Sequence, residues 1–414
     1  TTTLVFVNTR NMTETVVQKL KIAGLLGVEG HHGSMDKAIR LDVEQRLKNG
    51  YLRCVVSSSS LEMGIDIGSV DLVIQVGSPG SIATALQRIG RAGHQVGGIP
   101  RARFLPISPH DLLEIVALQT GILRGSMDIL KFPENCLDVL AQFLIGLSII
   151  KEWDIDEAYV LATASWPYRN LPYDDYIEVL DLLEDERRIW IEWEDNKFGK
   201  RGFAQMIYYT NIGTIAPNNN YLVFTSDGTM VGQLSSSFVS SLRNGDVFLL
   251  GGSTYRVSSI RGTRVNVTPA TGFRPTIPSW TGEANSRTHE LSQEVLELLE
   301  EVATYTRLEK DPMTIFTGVL GLNRPVAHAV SGFFQEHVAT TFQVPSNDLI
   351  LVEQVEAPLP TYIVTTCRGR AFNLALGHLF AGIATNDNII VHELSFDENG
   401  FMIKLSHEVE IALR

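Results

Sequence analysis

One stretch, Cys54 to His94, limits what this chain can fold into more than any other: CVVSSSSLEMGIDIGSVDLVIQVGSPGSIATALQRIGRAGH. Its first apolar run, Cys54-Val55-Val56, passes at once into small polar residues, and the second, Asp71 to Val76, stops at Gly77-Ser78-Pro79. Short runs without polar alternation are what strands buried on both faces require, as in a parallel sheet. Gly64, Asp66 and Gly68 lie between them, and a helix opening at Ser81 leads into Gln87-Arg88-Ile89-Gly90-Arg91-Ala92-Gly93-His94. Polar groups therefore collect where strands end, the edge at which open α/β sheets bind ligands.

These segments resemble motifs V and VI of superfamily 2 helicases and, more narrowly, the large helicase-related (Lhr) family, in which an SSLELGID-like segment precedes QRxGRAGH. Here they read SSSSLEMGID, DLVIQ and QRIGRAGH, in that order. A lone QRxGR is weak; the ordered set is specific. The bland alternative is an ordinary Rossmann-like lobe, but two clustered arginines beside glycines rarely serve packing alone.

The flanking sequence fits repeated βα units. Thr3 to Val7 reads as a strand, and Asn11-Met12-Thr13-Glu14 has the spacing of a capping box for a helix that stops before Gly24. A second helix follows His31-His32-Gly33-Ser34, with Ser34 as its N-cap, Ile39, Val43 and Leu47 on one face, and Gly50 as terminator. Arg103 to Ile107 supplies a last strand and Asp111 to Leu118 a closing helix, giving a doubly wound parallel sheet. In the resemblance, residues 1–125 are the second RecA-like helicase lobe, with LVFVNTR (Leu4 to Arg10) as motif IV and HHGS as the next turn facing nucleic acid. Asn8 and Arg10, at a strand's carboxyl edge, read as a phosphate contact, the alternative being that Arg10 caps the strand end. His31 and His32 are equally well loop histidines, and no third ligand stands near them for a metal.

From Leu137 the pattern turns helical, with Leu137, Leu140, Ala141, Leu144 and Leu147 spaced for one buried face. Arg188 to Trp193 then alternates toward a tip carrying Lys197, Lys200 and Arg201. This predicts a winged helix over 126–210, against a plain helical packing domain. Asp156-Glu157-Ala158 imitates the start of a DEAD or DEAH box, but Lys151-Glu152-Trp153-Asp154 precedes it where a buried strand is needed, so it reads as a helix start. Beyond about Thr210 come short strands at turn-separated spacing, Tyr221 to Thr268, read as a small β-barrel or strongly curved sheet. Two helices and a further α/β alternation follow. The span 211–414 is thus a β-barrel-containing α+β domain, which the resemblance makes Lhr-specific and which is expected to be incomplete at Arg414.

Composition bounds the partners. A net charge of −13 excludes a generally basic coat for nucleic acid, yet leaves a local grip through amides, hydroxyls and a few arginines. Three separated cysteines suggest neither a disulfide framework nor a zinc site. No apolar run approaches the roughly 20 residues that span a bilayer, and the amino end does not read as a charged-then-apolar leader, so no membrane partner and a cytoplasmic location are expected. No GxxxxGK[ST] occurs, so the phosphate-cradling loop and its magnesium-binding hydroxyl are missing. The chain is expected to be a piece of a longer protein, holding half of an ATP site and inactive alone.

The resemblance implies the rest: the C-terminal part of the core of an ATP-dependent helicase that moves 3′ to 5′ on single-stranded DNA and displaces DNA or RNA strands. ATP with Mg²⁺ would be bound in the full-length protein between this lobe and an N-terminal RecA-like lobe. Arg91 would be the arginine finger and Gln87 a γ-phosphate sensor; Gly64, Asp66 and Arg88 would serve ATP binding, Arg88 by tying this motif to the first lobe. Asn8, Arg10, His32, Gly33, Ser58 and Ser59 would face nucleic acid. So would Ile215 in NIGTIAP and Trp280 in IPSWTGE, a ring that otherwise closes the barrel's end. His94 stands where many superfamily 2 proteins have an arginine. A non-catalytic nucleic-acid clamp built on a scaffold lobe is the competing class.

Overall fold

Five parallel strands make the first sheet: β1 (Thr3–Phe6), β2 (Val28–His31), β3 (Cys54–Ser57), β4 (Leu72–Val76) and β5 (Ala102–Leu105), in the order β2-β3-β1-β4-β5. Helices α1 (Arg10–Ile22), α2 (Lys37–Lys48), α3 (Ile82–Ile89) and α4 (Pro109–Arg124) connect or follow them. The computed structural model describes residues 2–63, 68, 70–93, 99–130, 132–213, 220–270, 286–307, 313–319, 321–341 and 343–408. Alternation along β1 divides two cores: Leu4 and Phe6 pack with Val43, Leu47 and Val55, while Val5 and Val7 pack with Val17, Val28 and Val56. From β1 the chain runs to the β2 edge and then returns through β3 and across to β4 and β5, so connections leave β1 and its neighbours β3 and β4 in opposite directions and their carboxyl ends lie side by side at the switch point.

Two helix starts differ from the sequence reading. Thr9, not Asn11, caps α1: its Oγ1 accepts from the Met12 N–H at 3.1 Å, and Glu14 is drawn away to other partners. Asp36, not Ser34, caps α2 through the Ala38 N–H at 2.8 Å, because Ser34 receives Arg10. β2 was not legible, since Glu29 and Gly30 dilute its pattern. At Gly30 the strand lies close under α1, where a Cβ would stand 3.4 Å from Thr13 and Val17.

The chain divides into two compact units, Thr1–Asp128 with Asn219–Arg414, and Ile129–Asn218. The second unit contains α5 (Leu137–Ile150), β6 (Trp153–Asp154), α6 (Ile155–Thr163), α7 (Tyr173–Asp185), β7 (Ile189–Glu192), β8 (Lys197–Lys200) and α8 (Ala204–Thr210), with an antiparallel sheet in the order β6-β8-β7. This is a winged-helix arrangement. Leu140, Leu144 and Leu147 are buried as the spacing predicts, together with Tyr176, Leu180 and Phe198, whereas Leu137, the first residue of α5, is exposed because no other described element covers the start of the helix. The Asp156-Glu157 pair opens α6, with Asp154 accepting from both backbone N–H groups. The wing hairpin is tight because Trp190 lies on Gly199, where a Cβ would come within 2.5 Å of the ring.

Within the first unit, β9 (Tyr221–Thr225), β10 (Met230–Leu234), α9 (Ser236–Ser241), β11 (Val247–Leu250), β12 (Ser253–Arg261) and β13 (Arg264–Pro269) form a five-stranded sheet in the order β10-β9-β13-β12-β11. The expected barrel is not closed by hydrogen bonds among the described residues. The Leu250 side chain of β11 lies close to Gly232 of β10, where a Cβ would stand 3.0 Å from it. Two helices, α10 (His289–Arg307) and α11 (Arg324–Thr341), share a core with α3 and α4 that includes Ile82, Leu113, Val116, Leu296, Leu299 and Phe316. The last layer is an antiparallel sheet, β14 (Leu351–Val355), β15 (Thr361–Thr365), β16 (Val391–Phe396) and β17 (Gly400–Leu405), ordered β14-β15-β17-β16 and packed against α12 (Arg370–Asn386).

Candidate functional site

The carboxyl edge of the first sheet gathers Asn8 after β1, His31 and His32 at the end of β2, Ser58 and Ser59 after β3, and Gly77-Ser78 after β4. Gln87 and Arg88 lie on α3, and Arg91 follows its C-cap, Gly90. The sequence thus scatters over 84 positions what the topology brings to one rim.

The two motif arginines have opposite surroundings. Arg88 is 2% exposed. Its Nε and Nη2 donate to Glu62 Oε2 at 3.1 and 2.9 Å, and its Nη1 donates to Gln75 Oε1 at 2.8 Å and Asn8 Oδ1 at 3.3 Å. The guanidinium also stands over the Phe6 ring, 5.1 Å from its centroid. Burial lowers its pKa, and Glu62 pulls it back up by charge and hydrogen bonding. Asn8 is held from both ends, its Nδ2 donating to Ser78 O at 2.5 Å and its Oδ1 accepting from Gln75 Nε2 at 3.3 Å. Arg91 is only partly buried. Its one described donation is a long bond, 3.4 Å, from Nη1 to Met63 O, and its Nε is buried without a hydrogen-bond partner. Gln87 is exposed on the same helix. A guanidinium with unspent donors beside an exposed amide can turn toward an anion; one with all three nitrogens engaged stays where it is.

The HHGS turn is tied inward. His32 is fully buried; its Nδ1 accepts from Ser34 N–H at 3.2 Å, which leaves Nε2 as the donor to Glu14 Oε1 at 2.8 Å. Glu14, also fully buried, accepts from Gly251 N–H and, at 2.7 Å, from Gly252 N–H. His31 lies between Ser60 Oγ (2.7 Å) and Glu44 Oε1 (3.0 Å). Burial lowers its pKa from the ordinary value of 6.5, opposed by the hydrogen bond to Glu44. Gly33 is exposed with open space beyond its Cα, and Arg10 donates to Ser34 Oγ at 2.6 Å. Segment Ser34 to Asp36 meets β10, through Gln233 N–H to Ser34 O at 2.8 Å and a bridge from Met35 to Gly232. Gly232 allows that approach, because a Cβ there would stand 2.6 Å from Ser34 O. Ser58 is buried and Ser59 exposed. Gly64, Asp66, Ile215 and Trp280 lie outside the described residues.

Sequence reasoning missed the carboxylates and amides that hold this rim: Glu14, Glu62, Gln75 and Glu114. One signal was readable, Gln75 as the single polar residue inside Leu72-Val73-Ile74-Gln75-Val76, since a buried amide needs partners. Among the described residues no group of three or more His, Cys, Asp or Glu is placed to hold a metal ion.

Residues 120–277 match the family described as the large helicase-related protein winged helix domain, and residues 1–95 match the helicase conserved C-terminal domain. The chain is 38% identical to the ATP-dependent helicase Lhr-Core protein 2 of Thermococcus barophilus, across 99% of this chain and 49% of that protein. It is 41% identical to the ATP-dependent helicase Lhr-Core of Methanothermobacter thermautotrophicus, across 85% and 43%. A solved structure of the Mycobacterium smegmatis helicase Lhr, bound to single-stranded DNA and AMP-PNP, superposes with a TM-score of 0.71 at 26% identity, over 98% of this chain and 50% of that one. The DUF1998 helicase MrfA, at 14% identity and a TM-score of 0.52, shares the fold. The chain spans about half the length of the curated relatives it matches.

Proposed function

The chain belongs to the large helicase-related (Lhr) family, and from that premise we propose that it supplies the second RecA-like lobe, winged helix and following domains of an ATP-dependent helicase. The whole protein translocates 3′ to 5′ on single-stranded DNA and displaces a paired DNA or RNA strand. One observation carries the reading: of the two arginines on the motif at α3, Arg88 is fully engaged inside the lobe while Arg91 keeps unspent donors at the rim. That division fits one arginine that holds and one that reaches.

The ATP itself would lie between this lobe and an N-terminal RecA-like lobe, and Mg²⁺ would neutralise charge on its phosphates. The residues present fit the receiving half of such a site. Arg91 donates to the γ-phosphate as negative charge builds on its oxygens, and Gln87 reports the same group to α3. Arg88 keeps α3 fixed against β1 and β4 so that Arg91 has a defined reach. Gly64 and Asp66 complete the nucleotide edge. Asn8, Arg10, Gly33, Ser58 and Ser59 lie along the DNA path, with His32 setting the turn that presents Gly33; Ile215 and Trp280 engage bases further along the strand. This half-site hydrolyses no ATP without its partner lobe.

The test is Arg91→Ala in the full-length protein. Turnover of ATP falls on the order of 10³-fold, while affinity for single-stranded DNA stays near wild type, because an arginine finger acts on the transition state. A variant that keeps its turnover and loses DNA affinity moves Arg91 to the DNA path and refutes the assignment.

A further inference from the structure

The start of α3 is held by a carboxylate from the point where the chain leaves the lobe. Asp128 is the last residue of its unit before Ile129–Asn218 begins. Its Oδ2 accepts from Ala83 N–H at 2.6 Å and from the N-cap hydroxyl of Ser81 at 2.9 Å. Its Oδ1 accepts from Thr288 Oγ1 at 2.6 Å. Thr288 in turn donates its N–H to Gly80 O at 2.8 Å, and its hydroxyl oxygen accepts from Leu291 N–H at 3.3 Å in the first turn of α10. One carboxylate is therefore shared by the N-termini of two helices, where the macrodipoles favour negative charge. One of these helices carries Gln87 and Arg88 and leads to Arg91.

The neighbouring residue extends the connection. Arg287 is buried, pairs with Glu114 Oε2 of α4 at 3.1 Å, and donates to the carbonyls of Cys367 and Glu398 at 2.8 Å each. Glu114 Oε1 accepts from Ser78 Oγ at 2.5 Å, and Ser78 O accepts from Asn8, which meets Arg88. Polar contacts thus run from Arg88 through Asn8, Ser78, Glu114 and Arg287 to the carbonyls of Cys367 and Glu398, which flank strands of the last sheet. Both ends of α3 are tied to one short segment, Arg287-Thr288, which lies between the curved sheet and α10.

We propose that Asp128 and Thr288 are positioning residues that transmit the nucleotide-dependent setting of α3 to the domains after the lobe. Neither touches ATP or DNA in this assignment, which rests on the helicase reading above. Closure of the lobe on a γ-phosphate carries α3, fixed within it, and Ala83 and Ser81 with it; Asp128 passes that movement to the residues that follow it in the chain and, through Thr288, to α10. Without the link the lobe still closes on ATP, but the step is not delivered.

The experiment measures single-stranded-DNA-stimulated ATP turnover and strand displacement together in the full-length protein, for wild type, Asp128→Asn, Thr288→Val and Thr288→Ser. The proposal expects Asp128→Asn and Thr288→Val to hold ATP turnover within about twofold of wild type and to raise the ATP consumed per strand displaced by at least fivefold, within the usual range of about 5- to 150-fold for coupling between sites. Thr288→Ser, which keeps the hydroxyl, restores the wild-type ratio, and the double variant is no worse than either single one. An unchanged ratio overturns the proposal alone, as does a parallel loss of both activities with a lower melting temperature, the sign of a merely structural role. Wild-type protein that neither hydrolyses ATP nor displaces strands overturns the helicase reading, and the proposal with it.

Discussion

Removing the Glu14 carboxylate tests how the HHGS turn is used. In Glu14→Ala, three hydrogen bonds disappear at a site with no exposed surface: from His32 Nε2, Gly251 N–H and Gly252 N–H. Hydrogen bonds to a charged group contribute about 1.5–3 kcal/mol each, and an unsatisfied buried donor costs about 1–3 kcal/mol. These do not simply add, because water can enter the space the side chain leaves. A loss of about 3–5 kcal/mol is therefore expected, the scale seen when one partner of a buried charged network is deleted. Glu14→Gln keeps one acceptor but turns an amide NH₂ toward a second donor, and about half the loss remains. A protein with two units does not unfold in one step, so a global midpoint is a poor assay. Amide hydrogen exchange at Gly251 and Gly252 is specific: opening there becomes at least about 10²-fold more frequent in Glu14→Ala, with the β3 and β4 amides little changed. Unaltered protection at those two glycines would mean that the curved sheet is held to the lobe without Glu14, and the structural role of His32 would fall with it.

Two further outcomes follow from residues described above or expected to face the strand. His31 has a lowered pKa through burial, so the unfolded chain takes up its proton first as pH falls below 6.5; stability is full above that value and declines beneath it. His31→Gln flattens that part of the pH–stability curve, and an unchanged slope removes His31 from the account. Trp280→Ala in the full-length protein leaves DNA-dependent ATP turnover near normal while strand displacement drops sharply, since base stacking is worth about 1–3 kcal/mol per base; both falling together with a lower melting temperature would make the ring a packing residue.

Elements that satisfy one simple period were legible, and those set by a distant partner were not. The strand Tyr221–Thr225 and its neighbour Met230–Leu234 fall where alternation and turn residues put them, as do Leu140, Leu144 and Leu147 inside α5. The capping box at Asn11 to Glu14 failed because the local pattern offered Glu14 a backbone partner next door, whereas tertiary structure offered two glycine amides 237 and 238 positions away. Ser34 lost its capping role for the same kind of reason, to Arg10 and to β10. At the rim, spacing identified Gln87, Arg88 and Arg91 as a group but not which arginine turns inward. That choice depends on Glu62, Gln75 and Asn8, which only the sheet topology assembles.

Arg88 also constrains residues that do not touch it. A buried guanidinium stays where its acceptors are, because leaving any of them unpaired is costly. Glu62 supplies two of its four hydrogen bonds and lies directly after the short turn Ser59–Leu61, two positions before Gly64 and four before Asp66. Gln75 and Asn8 supply the others from the ends of β4 and β1. Glu62 and the turn before it are thus pinned to the same cation that fixes α3, which ties the described part of motif V to motif VI. Arg91, three residues on, is released from that network by the end of the helix at Gly90, where the backbone turns and its side chain no longer follows the inward face. Reach at one arginine depends on immobility at the other, and a substitution at Arg88 as mild as lysine, which cannot present three nitrogens in a plane to Glu62, Gln75 and Asn8, loosens both motifs together.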